Sequence, residues 1–316
     1  MAAKLKTDVN IKKQSFKKTK SSEARQCYMM IATLIIAFFV FYLYPILWTF
    51  RWSWFSFTGT ESTAVFVGWK NFLTMFTTDF TYWKVWLTTL EYGVLKVPIE
   101  LSLALVIAIL LDRQIKGAKM FQALYYLPNV VSVAIIGLVF SNMFGYWGVI
   151  NTYLVKLGII SKEIDWFASK GTAMFMLVIG SIWNTFGVNV MYFLAALANV
   201  PGELYESARI DGASESRQFF SITIPMIAPV FQTIILLSLV GTLSVNDYIL
   251  AFTGGGPSGS TLTVMSYLTK QFVPGFAESS APALGYGCAM SLLTTIILST
   301  VAILYNKFSR KMKEIY

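Results

Sequence analysis

Long uncharged runs divide the chain. Residues 28–50, 120–148, 171–204 (apart from Glu203 near its end), 218–246 and 279–306 lack charged side chains over at least the ~20 residues a helix needs to cross ~30 Å of hydrocarbon. A sixth run, 86–111, is long enough but holds Glu91, Lys96 and Glu100. Backbone groups in lipid must be satisfied within their own segment, and runs of this length suit helices rather than the ~10-residue alternating strands of a barrel. The pattern predicts an all-α membrane protein with six transmembrane helices.

Composition supports the bilayer reading: of 316 residues, 56% are hydrophobic and 13% charged, against ~25% charged in soluble domains. Basic residues cluster before the first run, and alternate segments sum to a strong excess on the side of the two ends. The positive-inside rule then places both termini in the cytoplasm. The net charge of +9 is thus mainly a topology signal. Residues 1–27 read as a disordered basic tail drawn to anionic lipid headgroups, with nucleic acid not expected as a partner. The first run is too long for a signal-peptide core and lacks a small-x-small cleavage pattern, so it is expected to stay as an anchor. With no histidine and two cysteines, Cys27 and Cys288, neither a His-based catalytic group, a disulfide framework nor a metal cluster is expected. No catalytic residue and no metal ligand is assigned.

Residues 28–316 read as a single transmembrane domain without an internal repeat. The external loop 51–85 is aromatic-rich, as at a headgroup boundary, and residues 69–76 suggest a short interfacial helix. The link 112–119 is short enough to make helices two and three an antiparallel hairpin. External loops 149–170 and 253–280 are large enough to touch a partner.

Polar side chains inside membrane helices usually face the bundle interior and mark pathways. Helix four carries Ser181, Asn184 and Thr185 on one face, by their spacing of three and four. Helix five carries Ser238, Thr242, Asn246 and Asp247, with Gly241 leaving room between them. Hydroxyls and amides suit a neutral polyol, and Trp183 or Phe186 offers a ring to stack on it. Interhelical hydrogen bonding explains the same residues without a ligand. In helix two, Lys96 and Glu100 lie one turn apart and are expected to pair, with Pro98 bending the helix; a proton relay would use similar parts.

A charged island interrupts the apolar pattern at 200–225. Pro201 suits a first helical turn, Glu203 and Glu206 favour its N-terminal end, and Asp211-Gly212 breaks it. A second helix then starts near Ala213-Ser214 and runs towards Pro225. This cytoplasmic helix–turn–helix is either a solvated connector or a segment that enters a groove on a soluble domain. Further on, Gly254–Thr261 mimics the Walker A spacing but has Ser260 where lysine is required and no preceding strand, so nucleotide binding there is not expected.

The order Glu206-Ser207-Ala208, two residues, Asp211-Gly212-Ala213, then Pro225 resembles the "EAA" loop of binding-protein-dependent ABC importer permeases. Thr253-Gly-Gly-Gly-Pro257 resembles the "TGGGP" signature of their carbohydrate branch, the maltose- and glycerol-phosphate-type permeases. Ser207 departs from the motif's second alanine. The resemblance implies a type I ABC importer permease bundle and a function as the transmembrane permease subunit of an ATP-driven importer of mono- or oligosaccharides. It implies a multi-pass protein of the bacterial plasma membrane whose partners are a second permease subunit, two copies of an ABC ATPase and an extracytoplasmic solute-binding protein. ATP and Mg would sit on the partner subunits, with no cofactor on this chain. The loop residues Glu203, Glu206, Ser207, Ala208, Asp211, Gly212, Ala213 and Pro225 would couple ATPase closure to alternating access. Aligned on the two motifs, Ser181, Asn184, Thr185, Val188, Ser238, Gly241 and Thr242 fall on positions resembling those that contact sugar in the maltose permease, though most side chains differ. The rival expectation is an ion-coupled secondary transporter using Glu91, Lys96, Glu100 or Asp247.

Overall fold

Backbone hydrogen bonds that lipid cannot supply are closed within helices almost throughout. The computed structural model describes residues 26–60, 62, 64–113, 115–273 and 283–313. The first helix, α1 (Gln26–Trp52), already includes Gln26 and Cys27, so the expected tail 1–27 is two residues too long, and its remainder lies outside the described residues. After α1 come two short strands, β1 (Phe55–Ser56) and β2 (Val65–Phe66). There follow α2 (Lys70–Thr77), α3 (Phe80–Asp112), α4 (Ala118–Val130), α5 (Val133–Met143) and α6 (Val149–Lys156). The second half comprises α7 (Lys170–Leu197), α8 (Gly202–Ile210), α9 (Glu215–Leu243), α10 (Asp247–Phe252), α11 (Val264–Phe272) and α12 (Leu284–Lys313). Helices α1, α3, α7, α9 and α12 are each long and apolar enough to span a membrane.

The remaining expected span, 120–148, departs from one straight helix. Residues 120–148 split into α4 and α5, which meet at 94°, with Val131 and Ser132 in extended backbone between them. Pro128 lies inside α4, three residues before the break, and the turn preceding it stays helical. The carbonyl of Pro128 accepts a 2.8 Å hydrogen bond from Asn184 Nδ2 of α7, so a polar side chain of one helix stabilises the break in another. The expected α3/α4 hairpin is also not the main contact: α3 and α4 both pack chiefly along α7 and touch each other little.

Helix α3 lies against α7 through Tyr92, Leu101, Ala104 and Ala108, which meet Leu177, Phe186, Val190 and Phe193 with Ile227 and Ile234 of α9 nearby. Ala104 and Ala108 are fully buried, and small residues at this spacing let helix backbones approach in a membrane. Pro98 and the paired Lys96 and Glu100 lie in the same continuous helix.

The strand pair was not legible as a sheet. Phe55 opposes Phe66 and Ser56 opposes Val65 in antiparallel register, and the Asn71 amide bonds the carbonyls of Ser53 and Phe55. Gly285 N–H, at the start of α12, donates to the carbonyl of Phe57 at 3.0 Å, which ties this ribbon to the last span. Helix α2 occupies nearly the expected interfacial stretch. At the same end, Asp79 caps α3 through Tyr82 N–H and accepts from the hydroxyls of Tyr267 and Tyr286. Burial and the facing Asp79 carboxylate push the Tyr267 phenol up from its ordinary value.

Helix α1 is different: its apolar side chains, Leu34 and Phe41 among them, stay exposed on all sides. Its end is held, where Trp52 stacks on Phe57 with ring centroids 4.0 Å apart. A helix apolar all round suits lipid or another membrane chain.

Candidate solute cavity and the loop 200–225

Helices α3, α7 and α9, the α4–α5 break and the segment after α9 line an open cavity of about 460 Å³. All nine pathway candidates line it: Ser181, Asn184, Thr185 and Val188 from α7, Ser238, Gly241 and Thr242 from α9, then Asn246 and Asp247. The last two are not on helix five as the sequence suggested. Helix α9 ends at Leu243, Asn246 has non-helical backbone (φ −132°), and Asp247 opens α10. An uncharged run reports length, and it does not report where the backbone turns.

The polar wall is organised around an ion pair. Lys96 Nζ lies 3.0 Å from Glu100 Oε2, with side-chain exposures of 7% and 1%, and both residues line the cavity. Glu100 Oε1 accepts from Thr185 Oγ1 at 2.6 Å and from Asn189 Nδ2 at 2.8 Å. Lys96 Nζ donates to Thr242 Oγ1 at 3.3 Å, and Tyr92 OH donates to Ser181 Oγ at 2.5 Å. Helices α3, α7 and α9 are thus joined by one hydrogen-bonded network, which is what makes two buried charges tolerable in the membrane. The expected Lys96–Glu100 pair is present, and it stands in the cavity wall.

Ser238, Asn246 and Tyr248 also line the cavity. Their atoms Ser238 Oγ, Asn246 Oδ1 and Tyr248 OH, with Glu100 Oε2, are buried within the wall and have no hydrogen-bond partner among the described residues. Buried polar atoms are normally paired, so this wall holds spare hydrogen-bonding capacity. The aromatic expectation is corrected: Trp183 packs on Phe140 and Phe186 on Tyr125, and neither lines the cavity, whose rings are Tyr192 and Tyr248. Sequence reasoning also missed Asn129 and Asn189. Asn189 follows Thr185 by four residues, so the same spacing rule extended by one turn finds it. Glu91, by contrast, is remote from the cavity and pairs with Lys170 at the start of α7. Among the described residues no group of three or more Cys, Asp or Glu is placed to hold a metal ion.

At the other end lies the island 200–225. Pro201 is the N-cap of α8 rather than its first residue. Helix α8 carries Glu203, Glu206, Ser207 and Ala208 and ends at Ile210, followed by Asp211 and Gly212. Gly212 has φ +74°, a left-handed conformation that costs a residue with Cβ about 1 kcal/mol or more. Ser214 then caps α9 by accepting from Arg217 N–H. The second helix does not stop near Pro225 but runs on as the span α9, through a π-helical stretch at Phe219–Thr223. The helix after the Gly212 turn is therefore continuous with the cavity wall.

Tyr205 and Thr223 hydroxyls lie 2.8 Å apart, and Arg113 at the end of α3 meets Glu215 at 2.8 Å. Together they shape a groove of about 730 Å³ lined by Glu206, Arg209, Ala213 and Gln218 among others. Ile210 beside it is 87% exposed, an apolar group the sequence reading passed over. The Arg113–Glu215 pair is itself solvent-exposed, so Arg113→Ala is expected to lower stability by no more than ~1 kcal/mol, checked by thermal unfolding of the purified chain.

The Gly254–Thr261 segment closes on itself instead of cradling a phosphate. Thr253 and Thr261 hydroxyls lie 2.9 Å apart, Gly255 N–H donates to Thr253 Oγ1, and Thr261 Oγ1 donates to the Gly256 carbonyl. Beyond it, Thr263 Oγ1 donates to the carbonyl of Val245 in the cavity lining, and Val264 N–H donates to Thr89 Oγ1 of α3. The loop pins one end of the cavity.

Residues 100–313 match the family described as binding-protein-dependent transport system inner membrane component. The chain is 31% identical over 292 residues to the lactose transport system permease protein of Rhizobium radiobacter, covering 90% of this chain and 94% of that one. It is 31% identical over 298 residues to the trehalose/maltose transport system permease protein of Thermococcus litoralis, covering 94% and 98%. Among solved structures, a bacterial alginate ABC transporter in complex with an alginate pentasaccharide-bound periplasmic protein has a chain that superposes with a TM-score of 0.77 at 22% identity, covering 90% of this chain and 94% of that one. At that identity the likeness bears on the fold.

Proposed function

Because the chain belongs to the family of inner membrane components of binding-protein-dependent transport systems, we propose that it is the transmembrane permease subunit of an ATP-driven importer of mono- or oligosaccharides. The observation that carries the solute pathway is the convergence on one cavity of Ser181, Asn184 and Thr185 from α7, Ser238 and Thr242 from α9, and Asn246 and Asp247 beyond it. Lactose, trehalose and maltose in the names of the relatives support a sugar as the solute. The chain sits in the bacterial plasma membrane with both ends in the cytoplasm, in keeping with its basic N-terminal side.

The assembly we infer contains a second permease subunit, two ATPase copies and an extracytoplasmic solute-binding protein; the periplasmic protein in the alginate complex supports the last of these. ATP and Mg are bound by the ATPase copies and no cofactor by this chain. The ATPase docks against α8 and the groove beside it, using Glu203, Glu206, Ser207, Ala208, Asp211, Gly212 and Ala213. Its closure shifts α8, and the shift passes through the Gly212 turn into the continuous α9, past Pro225, and so to Ser238 and Thr242. A ligand or partner moves such an equilibrium only by binding the two states unequally, so alternating access follows from nucleotide-dependent docking at the loop.

The test is co-purification of the ATPase with wild type, Gly212→Pro and Glu206→Lys. Retention with wild type and at least tenfold loss in both variants, with the chain still monodisperse, is the expected result; equal retention in all three reduces the loop to a connector. The Lys96–Glu100 pair in the cavity is the one observation that favours an ion-coupled carrier. Uptake that persists with the ATPase inactive and collapses with the ion gradient would establish that reading instead.

A further inference from the structure

We propose that this cavity sorts solutes by charge, accepting neutral sugars and rejecting anionic ones, with Asp247 as the residue that carries the rejection. The inference rests on the reading of the cavity as a sugar pathway.

Of the described residues lining the cavity, three bear a full charge: Lys96, Glu100 and Asp247. The first two cancel. Glu100 is 1% exposed; one oxygen accepts from Thr185 and Asn189, and the other makes no hydrogen bond but lies 3.0 Å from the Lys96 ammonium. Lys96 is committed to Glu100 and to Thr242. An anionic solute that recruited the Lys96 ammonium would leave Glu100 as an uncompensated buried charge, which is strongly unfavourable.

Asp247 is left over. It is exposed to the cavity at the start of α10, with one oxygen accepting from Asn246 Nδ2 at 3.0 Å, and among the described residues no arginine lines the cavity to balance it. The lining therefore carries one net negative charge. A carboxylate or phosphate entering it meets like charge at reduced dielectric, where repulsion is several times stronger than in water. The remaining groups, Ser181, Ser238, Asn246 and Tyr248, both donate and accept hydrogen bonds and match a neutral polyol.

The experiment measures binding by calorimetry to the assembled importer in lipid nanodiscs, this chain co-purified with its partner permease and ATPase copies, using neutral sugars and their aldonate counterparts: lactose with lactobionate, and maltose with maltobionate. Wild type is expected to bind at least one neutral sugar about tenfold more tightly than its anionic counterpart, the preference shrinking as salt rises. Asp247→Asn and Asp247→Ser, two variants so that one misfolding does not decide the matter, should bring the ratio towards one. Glu91→Gln, which removes an acid outside the cavity, should leave it unchanged. Equal binding of both members of a pair by wild type, or a preference unaltered in both Asp247 variants, overturns charge sorting while the pathway reading stands. If no sugar of either charge binds, the pathway reading falls and the charge proposal with it.

Discussion

Gly187→Ala is expected to remove most of the folded protein from the membrane. Gly187 lies in the middle of α7, where the backbone of α4 crosses it, and a Cβ built there overlaps the carbonyl oxygen of Tyr125 and comes within 2.6 Å of that residue's carbonyl carbon. The obstacle is backbone, so no rotamer change relieves it. Helices α4 and α7 must separate, and with them go the Asn184–Pro128 hydrogen bond and the packing of Phe186 on Tyr125. Overpacking of a tight site costs ~1–3 kcal/mol and more where backbone must move, and ~3 kcal/mol or above is expected here. Size-exclusion of the fluorescently tagged chain in detergent, with a temperature ramp, reads it directly. Gly241→Ala in α9 is the matched control, since a Cβ there meets nothing within 4 Å, and it should be nearly silent for stability.

Lys96→Met is the second large effect. The substitution keeps the stem's volume and removes the ammonium, leaving Glu100 charged, 1% exposed and without its counter-ion. Breaking one partner of a buried pair costs ~3–5 kcal/mol, whereas replacing both by neutral groups is often close to neutral. Lys96→Met alone should therefore lower the unfolding temperature of the purified chain by many degrees. The double change Lys96→Met with Glu100→Gln should recover most of that loss, because the carboxamide oxygen introduced by the second change still accepts from Thr185 and Asn189. If the single variant is as stable as wild type, water in the cavity already screens the carboxylate and the network is not structural. If the double variant is no better than the single one, the Lys96–Thr242 contact, and not the ion pair, holds α3 to α9.

Both predictions concern places where the sequence says little. Gly187 is one of 21 glycines, and only the crossing of α4 over α7 distinguishes it from Gly241. Lys96 and Glu100 were legible as a pair from their spacing, but their place in the cavity wall depends on which face of α3 meets α7. The break at Val131–Ser132 was hidden because proline occurs in membrane helices both with and without a sharp bend; here Asn184 supplies the hydrogen bond that lets the bend persist. The end of α9 was misplaced because Ser244, Val245 and Asn246 are as uncharged as the span before them.

The sequence by itself determined the class of protein, since ~20-residue uncharged runs have no stable place outside a bilayer and no stable form within it but the helix. It determined the cap at Pro201, the turn at Gly212 and the start of the next helix at Ser214, because each residue imposes a local backbone state without help from distant residues, though not that this second helix runs on as α9. It also marked the polar faces of α7 and α9, since helical periodicity is a local property. What the tertiary structure alone decided is which faces meet. Packing against α7 joined Lys96, Glu100, Thr185, Asn189 and Thr242, residues up to 146 positions apart, into one wall. Aromatic partners drew Trp183 and Phe186 away from the cavity and left Tyr192 and Tyr248 on it. Such choices depend on steric fit between helices, which no periodicity along one helix contains.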